Sequence, residues 1–195
     1  MHVRTRRAFT LIEMMVAVSI FAIVMLIGVG ALLSMVETNR RAEAIHQIMS
    51  SLNASVESMA RSIRVGSVYH CEETNASQAP ATLAQTRDCN QATGGILLAI
   101  ESSNGDRSSN ADQVVYRLNG TKLERSLTSG SLNSWVDLTS PEVTIESFKF
   151  YVIGSASGDG IQPRVLITMK GSMTLPRGKT SLLIQTTVVQ RLIDI

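Results

Sequence analysis

The first side chain that could do chemistry is Glu13, because its carboxylate interrupts an otherwise apolar stretch. The next charged residue is Glu37, and the uncharged segment between them is long enough to span a bilayer. An ionisable side chain inside such a segment costs about 2.5–3.5 kcal/mol near the bilayer centre, so it marks a function and a partner. The pattern therefore predicts that Glu13 forms an ion pair inside the membrane.

A basic leader precedes the apolar stretch and carries Arg4, Arg6 and Arg7. These arginines favour a cytoplasmic position for the leader by the positive-inside rule. A secretory signal peptide is cut after its apolar region at a small-residue site, and residues 34–41 contain no such pattern. The small residue is instead Ala8, directly before the apolar run, so the segment differs from an ordinary secretory signal.

The run from Arg6 to Val18, RRAFTLIEMMVAV, resembles the class III leader of type IV prepilins and type II secretion pseudopilins. The family's leader usually ends in Gly, and here Ala8, the next smallest residue, takes that place. The resemblance implies cleavage by prepilin peptidase between Ala8 and Phe9, followed by N-methylation of the new Phe9 amine. It also implies that Glu13 meets the charged N-terminus of a neighbouring subunit.

The same resemblance implies partners and a location. The partners are prepilin peptidase, other pilin or pseudopilin subunits and an inner-membrane assembly platform. The location is a single-pass protein of the inner (cytoplasmic) membrane with an exported C-terminal domain, later part of a pilus or pseudopilus. The alternative is a plain anchor with a chance carboxylate, and it leaves the match of the whole Phe9–Glu13 run unexplained.

The bulk composition argues against other function classes. The formal charge is +2, and without the three leader arginines 15 basic residues face 16 acidic ones. Aromatic residues make up only 4% of the chain, so neither a strong positive field nor a base-stacking surface for nucleic acid is expected. No metalloprotease, hydrolase or phosphate-binding motif occurs. We therefore expect no enzyme activity and no cofactor.

Two cysteines, Cys71 and Cys89, lie in a polar stretch. If the domain is exported they are expected to form one disulfide, worth about 3 kcal/mol in the chain-entropy model. The alternative is two thiols in a reducing compartment. His70 is the only nearby imidazole, so neither a metal site nor a Cys–His nucleophile pair is favoured. The adjacent Glu72 and Glu73 are interpreted as a solvated loop face.

A second stretch has oxygen-bearing side chains at alternate positions, which is a spacing that calcium could use. Some pseudopilins also bind calcium in a C-terminal loop. The stretch lacks the full EF-hand order and a terminal bidentate Glu, so a solvated turn is favoured and no metal is predicted. Its members are Asn104, Asp106, Ser108, Asn110 and Asp112.

A helix has to carry the N-terminal groups, and its character changes along its length. Residues 9–36 are apolar on all sides, which predicts a membrane-spanning or filament-core helix. Residues 37–65 are predicted to continue as an amphipathic half, and no proline interrupts 9–66. Gly66 is a candidate C-cap. The predicted apolar stripe consists of Ile45, Ile48, Met49, Leu52, Val56, Met59 and Ile63.

The sequence after the helix predicts a variable loop over 66–95 and an antiparallel sheet over 96–195. The sheet is predicted because short apolar runs alternate with turn residues. Asn119-Gly120 is the strongest hairpin signal, and two registers within 143–153 indicate a bulge. The predicted fold class is α+β. The long helix packed on a C-terminal sheet is similar to the pilin fold, with a leader at 1–8 and a globular domain at 37–195.

The predicted function is that of a structural subunit of a type IV pilus or type II secretion pseudopilus. The opening segment and residues 182–191 resemble minor subunits of the J-type pseudopilin or W-type pilin group. Many type IV pilins have a helix-breaking proline near the middle of this helix, and this chain has none there, which also places it outside the major-pilin norm. The alternative is a binding module at a filament tip, for DNA uptake or adhesion. Its only basic cluster would be Lys170, Arg177 and Lys179.

Overall fold

The computed structural model of the chain describes residues 9–74, 85–106, 109–131 and 133–191. The leader with Ala8 therefore lies outside the described residues. Helix α1 spans Leu11–Val65 and is followed by eight strands. The strands are β1 Ser67–Glu72, β2 Leu97–Glu101, β3 Val114–Asn119, β4 Lys122–Ser126, β5 Val136–Asp137, β6 Thr144–Ile153, β7 Arg164–Leu175 and β8 Gly178–Val189. The predicted α+β class, with a long N-terminal helix and antiparallel sheet, is confirmed.

The chain divides into two compact units, Met1–Glu43 and Ala44–Ile195. The first contains one helical segment that is long and apolar enough to cross a membrane, with a mean hydropathy of 2.8 over its best window. None of that window is buried. A helix that is apolar on all sides needs either lipid or other helices around it. Where this segment leaves the membrane, predicted at residues 36–37, stays a prediction.

In the second unit the helix buries one narrow stripe. Its buried residues are Ala44, Ile48, Leu52, Ser55, Met59 and Ile63. The predicted stripe was wrong at Ile45 and Met49, which are 40% and 51% exposed. The buried line passes through Ala44 and Ser55 instead. Because these are small or polar side chains, a search for large apolar residues does not detect them.

The predicted single sheet was wrong, because the strands form two antiparallel sheets. The first has the order β1-β2-β3-β4-β5 and the second the order β6-β7-β8. An isolated bridge links Gly95 to Phe150 of β6, with N–O distances of 2.7 and 2.8 Å in the two directions. This bridge involves a single residue pair, which is too short to form a ladder between strands. β6 therefore does not become a sixth strand of the first sheet.

Two local predictions about the strands are confirmed. β3 and β4 form a hairpin in which Asn119 pairs with Lys122. Gly120 has φ +59 there, a conformation that favours glycine. The register of β6 against β7 shifts between Ile145 and Ser147, which is the expected bulge.

The predicted loop over 66–95 was wrong at its start, where β1 pairs with β2. Every residue from Tyr69 to Glu72 is buried, so polar and apolar side chains are covered alike. The polar side chains have hydrogen-bonding partners, as described below. Because both faces of β1 are buried, its sequence lacks the alternation of polar and apolar residues by which a half-buried strand is recognised. Val68 has φ +53, next to the register shift between Ser67 and His70.

One hydrophobic core joins the helix stripe to both sheets. Phe148 and Phe150 meet edge to face within it, with ring centroids 4.6 Å apart. Residues 190–191 return to the end of α1. The Arg191 amide donates to the Arg64 carbonyl at 2.8 Å, and Gln190 Nε2 donates to the Gly66 carbonyl at 2.9 Å. The last strand is thereby attached to the helix terminus.

Candidate functional site

The N-terminal site begins with the residues that start α1. Thr10 Oγ1 accepts a hydrogen bond from the Glu13 amide at 3.4 Å, and the Thr10 carbonyl accepts from Met14 at 3.3 Å. Thr10 therefore acts as the N-cap, and Glu13 lies at the third helical position, where a carboxylate also complements the helix dipole. The Thr-x-x-Glu spacing is that of a capping box. Sequence reasoning about Glu13 did not include this local role.

The surroundings of Glu13 are apolar and uncovered. Phe9, Leu11 and Ile12 are between 71% and 78% exposed. Within the described residues the Glu13 carboxylate has no ion-pair partner, and the nearest charged side chain along the helix is Glu37. A carboxylate in this position is chemically suited to bind a cation brought by another molecule.

The predicted disulfide between Cys71 and Cys89 is confirmed. The two Cα atoms are 5.2 Å apart, and both residues are buried. Backbone hydrogen bonds attach both halves to the sheets: the Cys71 amide donates to the Arg87 carbonyl at 3.0 Å, and the Cys89 amide donates to Val152 at 3.2 Å. The bond and these hydrogen bonds therefore fix residues 87–89 against β1 and β6. It also excludes a nucleophilic role for Cys71.

The residues beside the disulfide form a buried polar group that sequence reasoning missed. Arg87 pairs with the buried Glu72 carboxylate, and His70 Nε2 lies 3.6 Å from the same carboxylate. His70 Nδ1 is 2.7 Å from the Gln85 carbonyl. The interpretation of Glu72 and Glu73 as a solvated loop face was wrong for Glu72, which is buried, whereas Glu73 is half-buried. Glu73 accepts hydrogen bonds from the Asn90 amide and from the Thr93 hydroxyl, each at 3.2 Å. Both carboxylates therefore bind residues close to Cys89 and stabilise the chain around the disulfide.

Beside the stretch considered for calcium lies one acidic residue that was not predicted to matter. Glu101, at the end of β2, is 2% exposed, and burial raises the pKa of its carboxyl, with a further rise from Asp112 and Asp106. The Asp106 amide donates to Asp112 Oδ2 at 2.8 Å. Ser108 lies outside the described residues. In the described part of the chain, no group of three or more His, Cys, Asp or Glu side chains is placed to hold a metal ion.

The basic cluster considered for DNA is partly neutralised. Glu146 accepts from Lys170 at 2.7 Å and from Lys179 at 2.5 Å. Hydrogen bonds from Lys170, Lys179 and Ser172 lower the pKa of Glu146 to about 2. Because one carboxylate holds two of the three predicted cations, a strong positive field is not expected at this end of the hairpin.

Comparisons with known proteins follow the same division of the chain. Residues 3–29 match a family described as the prokaryotic N-terminal methylation motif. Residues 41–190 match a family described as prepilin peptidase-dependent protein B. No curated protein and no solved structure matches the chain. The first match covers the predicted cleavage and methylation segment, and the second covers nearly all of the globular unit.

Proposed function

The chain belongs to the prepilin peptidase-dependent protein B family, and from this premise we propose that it is a minor structural subunit of a type IV pilus or type II secretion pseudopilus. The observation that carries the proposal is the order of the two family matches. The methylation motif at residues 3–29 includes the start of the one membrane-length apolar helix found among the described residues, and the match to the globular unit follows at 41–190. The helix anchors the subunit in the membrane before assembly and packs in the filament core afterwards.

In this proposal processing creates the group that Glu13 binds. Hydrolysis of the peptide bond between Ala8 and Phe9 releases the Phe9 amine, which is then methylated. An α-amine has a pKa near 8 in water, so it carries a positive charge at neutral pH. The Glu13 carboxylate of one subunit pairs with the Phe9 amine of the next. The pair is strengthened by the low dielectric of the membrane and sets the axial register of adjacent helices.

The N-cap formed by Thr10 is consistent with a Glu13 carboxylate that binds a neighbouring subunit. The Thr10 hydroxyl accepts a hydrogen bond from the Glu13 backbone amide, which is one half of a capping box. Among the described residues the Glu13 carboxylate does not complete the other half by binding the Thr10 amide, so it is available to another subunit. A filament-tip role in DNA uptake receives less support. Of the three basic side chains that would contact phosphate, two already form ion pairs with Glu146. A structural role requires no catalytic group, in keeping with the structural character of both matched families.

Mass spectrometry of the membrane-extracted protein tests the proposal. The expected mass is that of a chain beginning at Phe9, with one added methyl group and one disulfide. Ala8→Gly restores the family's usual residue and serves as the matched control, whereas Ala8→Leu should leave the uncleaved precursor because a bulky side chain does not fit a small-residue site. A mature mass that retains the leader in the unaltered protein would contradict the proposal.

A further inference from the structure

The second sheet ends in an edge strand that lacks the usual protection. β8 pairs with β7 over twelve consecutive residue pairs with no bulge. No other strand among the described residues covers its second side. From Thr180 to Gln190 it contains no charged residue and no proline. Natural edge strands are normally kept short, charged, bulged or interrupted by proline, because an open row of backbone groups recruits other strands.

The backbone groups on this open side can be assigned from the register. The Gln190 amide donates to the Pro163 carbonyl at 2.9 Å, so Gln190 faces β7. In an antiparallel ladder the direction alternates from one residue to the next. The amide and carbonyl groups that face away from β7 therefore belong to Ser181, Leu183, Gln185, Thr187 and Val189.

The side chains of these five residues are also exposed. Leu183 is 65% exposed and Val189 is 49% exposed. Large apolar side chains on an edge strand add to the tendency of its backbone to pair. The same residues thus offer both open hydrogen-bonding groups and apolar surface.

The charges around the strand indicate what pairs with it. Arg177 precedes β8 and Arg191 follows it, and both are exposed. Arg164, also exposed, lies opposite Val189 on β7. The open edge is therefore a neutral stretch with a basic group at each end, and its complement is a neutral strand with an acidic group at each end.

A second copy of the same strand fits poorly. Antiparallel pairing of two copies of β8 over the whole neutral stretch, centred on Gln185, places Lys179 of each copy opposite Arg191 of the other. Glu146 pairs with Lys179 but is shared with Lys170, so this end of each copy keeps more basic than acidic groups. Like charges at directly opposite positions destabilise a strand pair. Charge complementarity accordingly favours a different protein.

We propose that the outer edge of β8 is a protein-docking site that accepts, by strand addition, an extended uncharged segment with carboxylates at both ends. Main-chain hydrogen bonds supply the affinity of this recognition mode, and the flanking charges set its specificity. The proposal goes beyond the structural role above, since it depends only on residues 164–191 and not on cleavage or methylation. The two ideas can therefore fail separately.

Two synthetic peptides test the proposal with the full mature chain in detergent micelles. Both have an alternating Thr-Val centre; one carries two Glu residues at each end and the other two Lys residues. Fluorescence anisotropy of labelled peptides should show about tenfold tighter binding of the Glu-flanked peptide, lost at high salt. Equal affinities, or no binding of either peptide, would overturn the proposal.

A matched pair of variants separates backbone pairing from other binding modes. Gln185→Pro removes an amide that faces away from β7 and leaves the β7 ladder intact, since proline is tolerated at such edge positions. Gln185→Ala keeps that amide. Binding should fall at least about tenfold in Gln185→Pro and stay within about twofold in Gln185→Ala. Undiminished binding by Gln185→Pro would overturn the proposal.

A charge exchange keeps the test valid even if the proline variant does not fold. The double variant Arg177→Glu, Arg191→Glu changes two exposed side chains, and it should prefer the Lys-flanked peptide. A structural role for these arginines would not reverse the preference. Self-association of the chain that disappears in Gln185→Pro would identify a second copy as the occupant and overturn the proposal.

Discussion

The hydroxyl group of Tyr69 donates a hydrogen bond to the backbone carbonyl of Ile63 at 2.6 Å, from within the core. The same oxygen lies 3.1 Å from the Gly66 carbonyl. The last carbonyl groups of a helix have no partner within the helix, so a side chain that reaches them replaces water. Burial also raises the pKa of Tyr69 well above its ordinary value. The hydroxyl therefore stays protonated and caps the end of α1.

Tyr69→Phe should destabilise the globular unit by about 1–3 kcal/mol, because it leaves a buried carbonyl without its donor. Chemical denaturation of the full chain in detergent measures the change. Tyr151→Phe is the control, since the Tyr151 hydroxyl makes no hydrogen bond to any residue that the structure describes, and its loss should have little effect. Equal destabilisation by the two variants would contradict the capping role.

Removal of the disulfide should lower the free energy of unfolding by about 3 kcal/mol, because the unfolded chain regains the freedom of an open loop. The variant is Cys71→Ala with Cys89→Ala, which avoids placing a new hydroxyl in a buried site. Reduction of the unaltered protein should produce a similar loss. If reductant left the unfolding midpoint unchanged, the bond would not brace the fold.

Glu13→Ala should leave membrane insertion and cleavage intact and should prevent incorporation into filaments. The reason is that the variant lacks the carboxylate proposed to bind the Phe9 amine of a neighbour. Immunoblotting of sheared filaments and of membranes separates the two steps. Glu43→Ala, which removes an exposed carboxylate outside the apolar segment, is the control and should assemble normally. Normal filaments from Glu13→Ala would contradict the pairing mechanism.

Glu146 should make stability fall as the pH drops from about 4.5 towards 2. Its pKa is lowered to about 2 in the folded chain by hydrogen bonds from Lys170, Lys179 and Ser172, relative to 4.5 as the ordinary value. A carboxylate with a lowered folded-state pKa stabilises the fold above its unfolded pKa and loses that contribution on protonation. Glu146→Gln should flatten this part of the stability–pH curve, as thermal melts between pH 2 and 5 would show. A Gln variant with an unchanged slope would refute the assignment.

Glu101 should have the opposite pH dependence. Burial and the carboxylates of Asp112 and Asp106 raise its pKa in the folded chain. A raised carboxyl pKa means that the folded state binds the proton more tightly, so stability is lost as the pH rises from the unfolded value through the folded one. Glu101→Gln should therefore raise the melting temperature at pH 7 and have little effect at pH 3. A lower melting temperature at pH 7 would contradict this sign.

Sequence patterns predicted the parts of the fold that depend on local chemistry. The unbroken helix follows from its apolar residues and the absence of proline, and the hairpin at Gly120 follows from its need for a positive φ. The bulge in β6 could be predicted because the apolar residues before it have odd numbers and most of the large apolar residues after it have even numbers. In each case neighbouring residues alone determine the outcome.

The parts that failed depend on partners distant in sequence. β1 escaped prediction because His70 and Glu72 are polar, and their burial requires Arg87 and Gln85 from the far side of the disulfide loop. The bridge between Gly95 and Phe150 also joins residues distant in sequence, and the local patterns do not show that the strands form two sheets. For the candidate site, the cysteine pairing was predictable from composition. The Thr10 cap lies within the same motif, and the Thr-x-x-Glu spacing is the sequence signal from which it could be predicted.

The attachment of Gln190 to Gly66 also determines when the globular unit can finish folding. These residues are 124 positions apart, so the bond closes only after almost the whole chain has been made. Contacts of such high sequence separation form late and slow the folding of a domain. Until β7 arrives, Leu52 of the helix stripe lacks the contact that it makes with Gly171, and apolar surface exposed in this way is prone to aggregate. The nascent chain should therefore need protection by a chaperone or by the membrane until its last strand is in place.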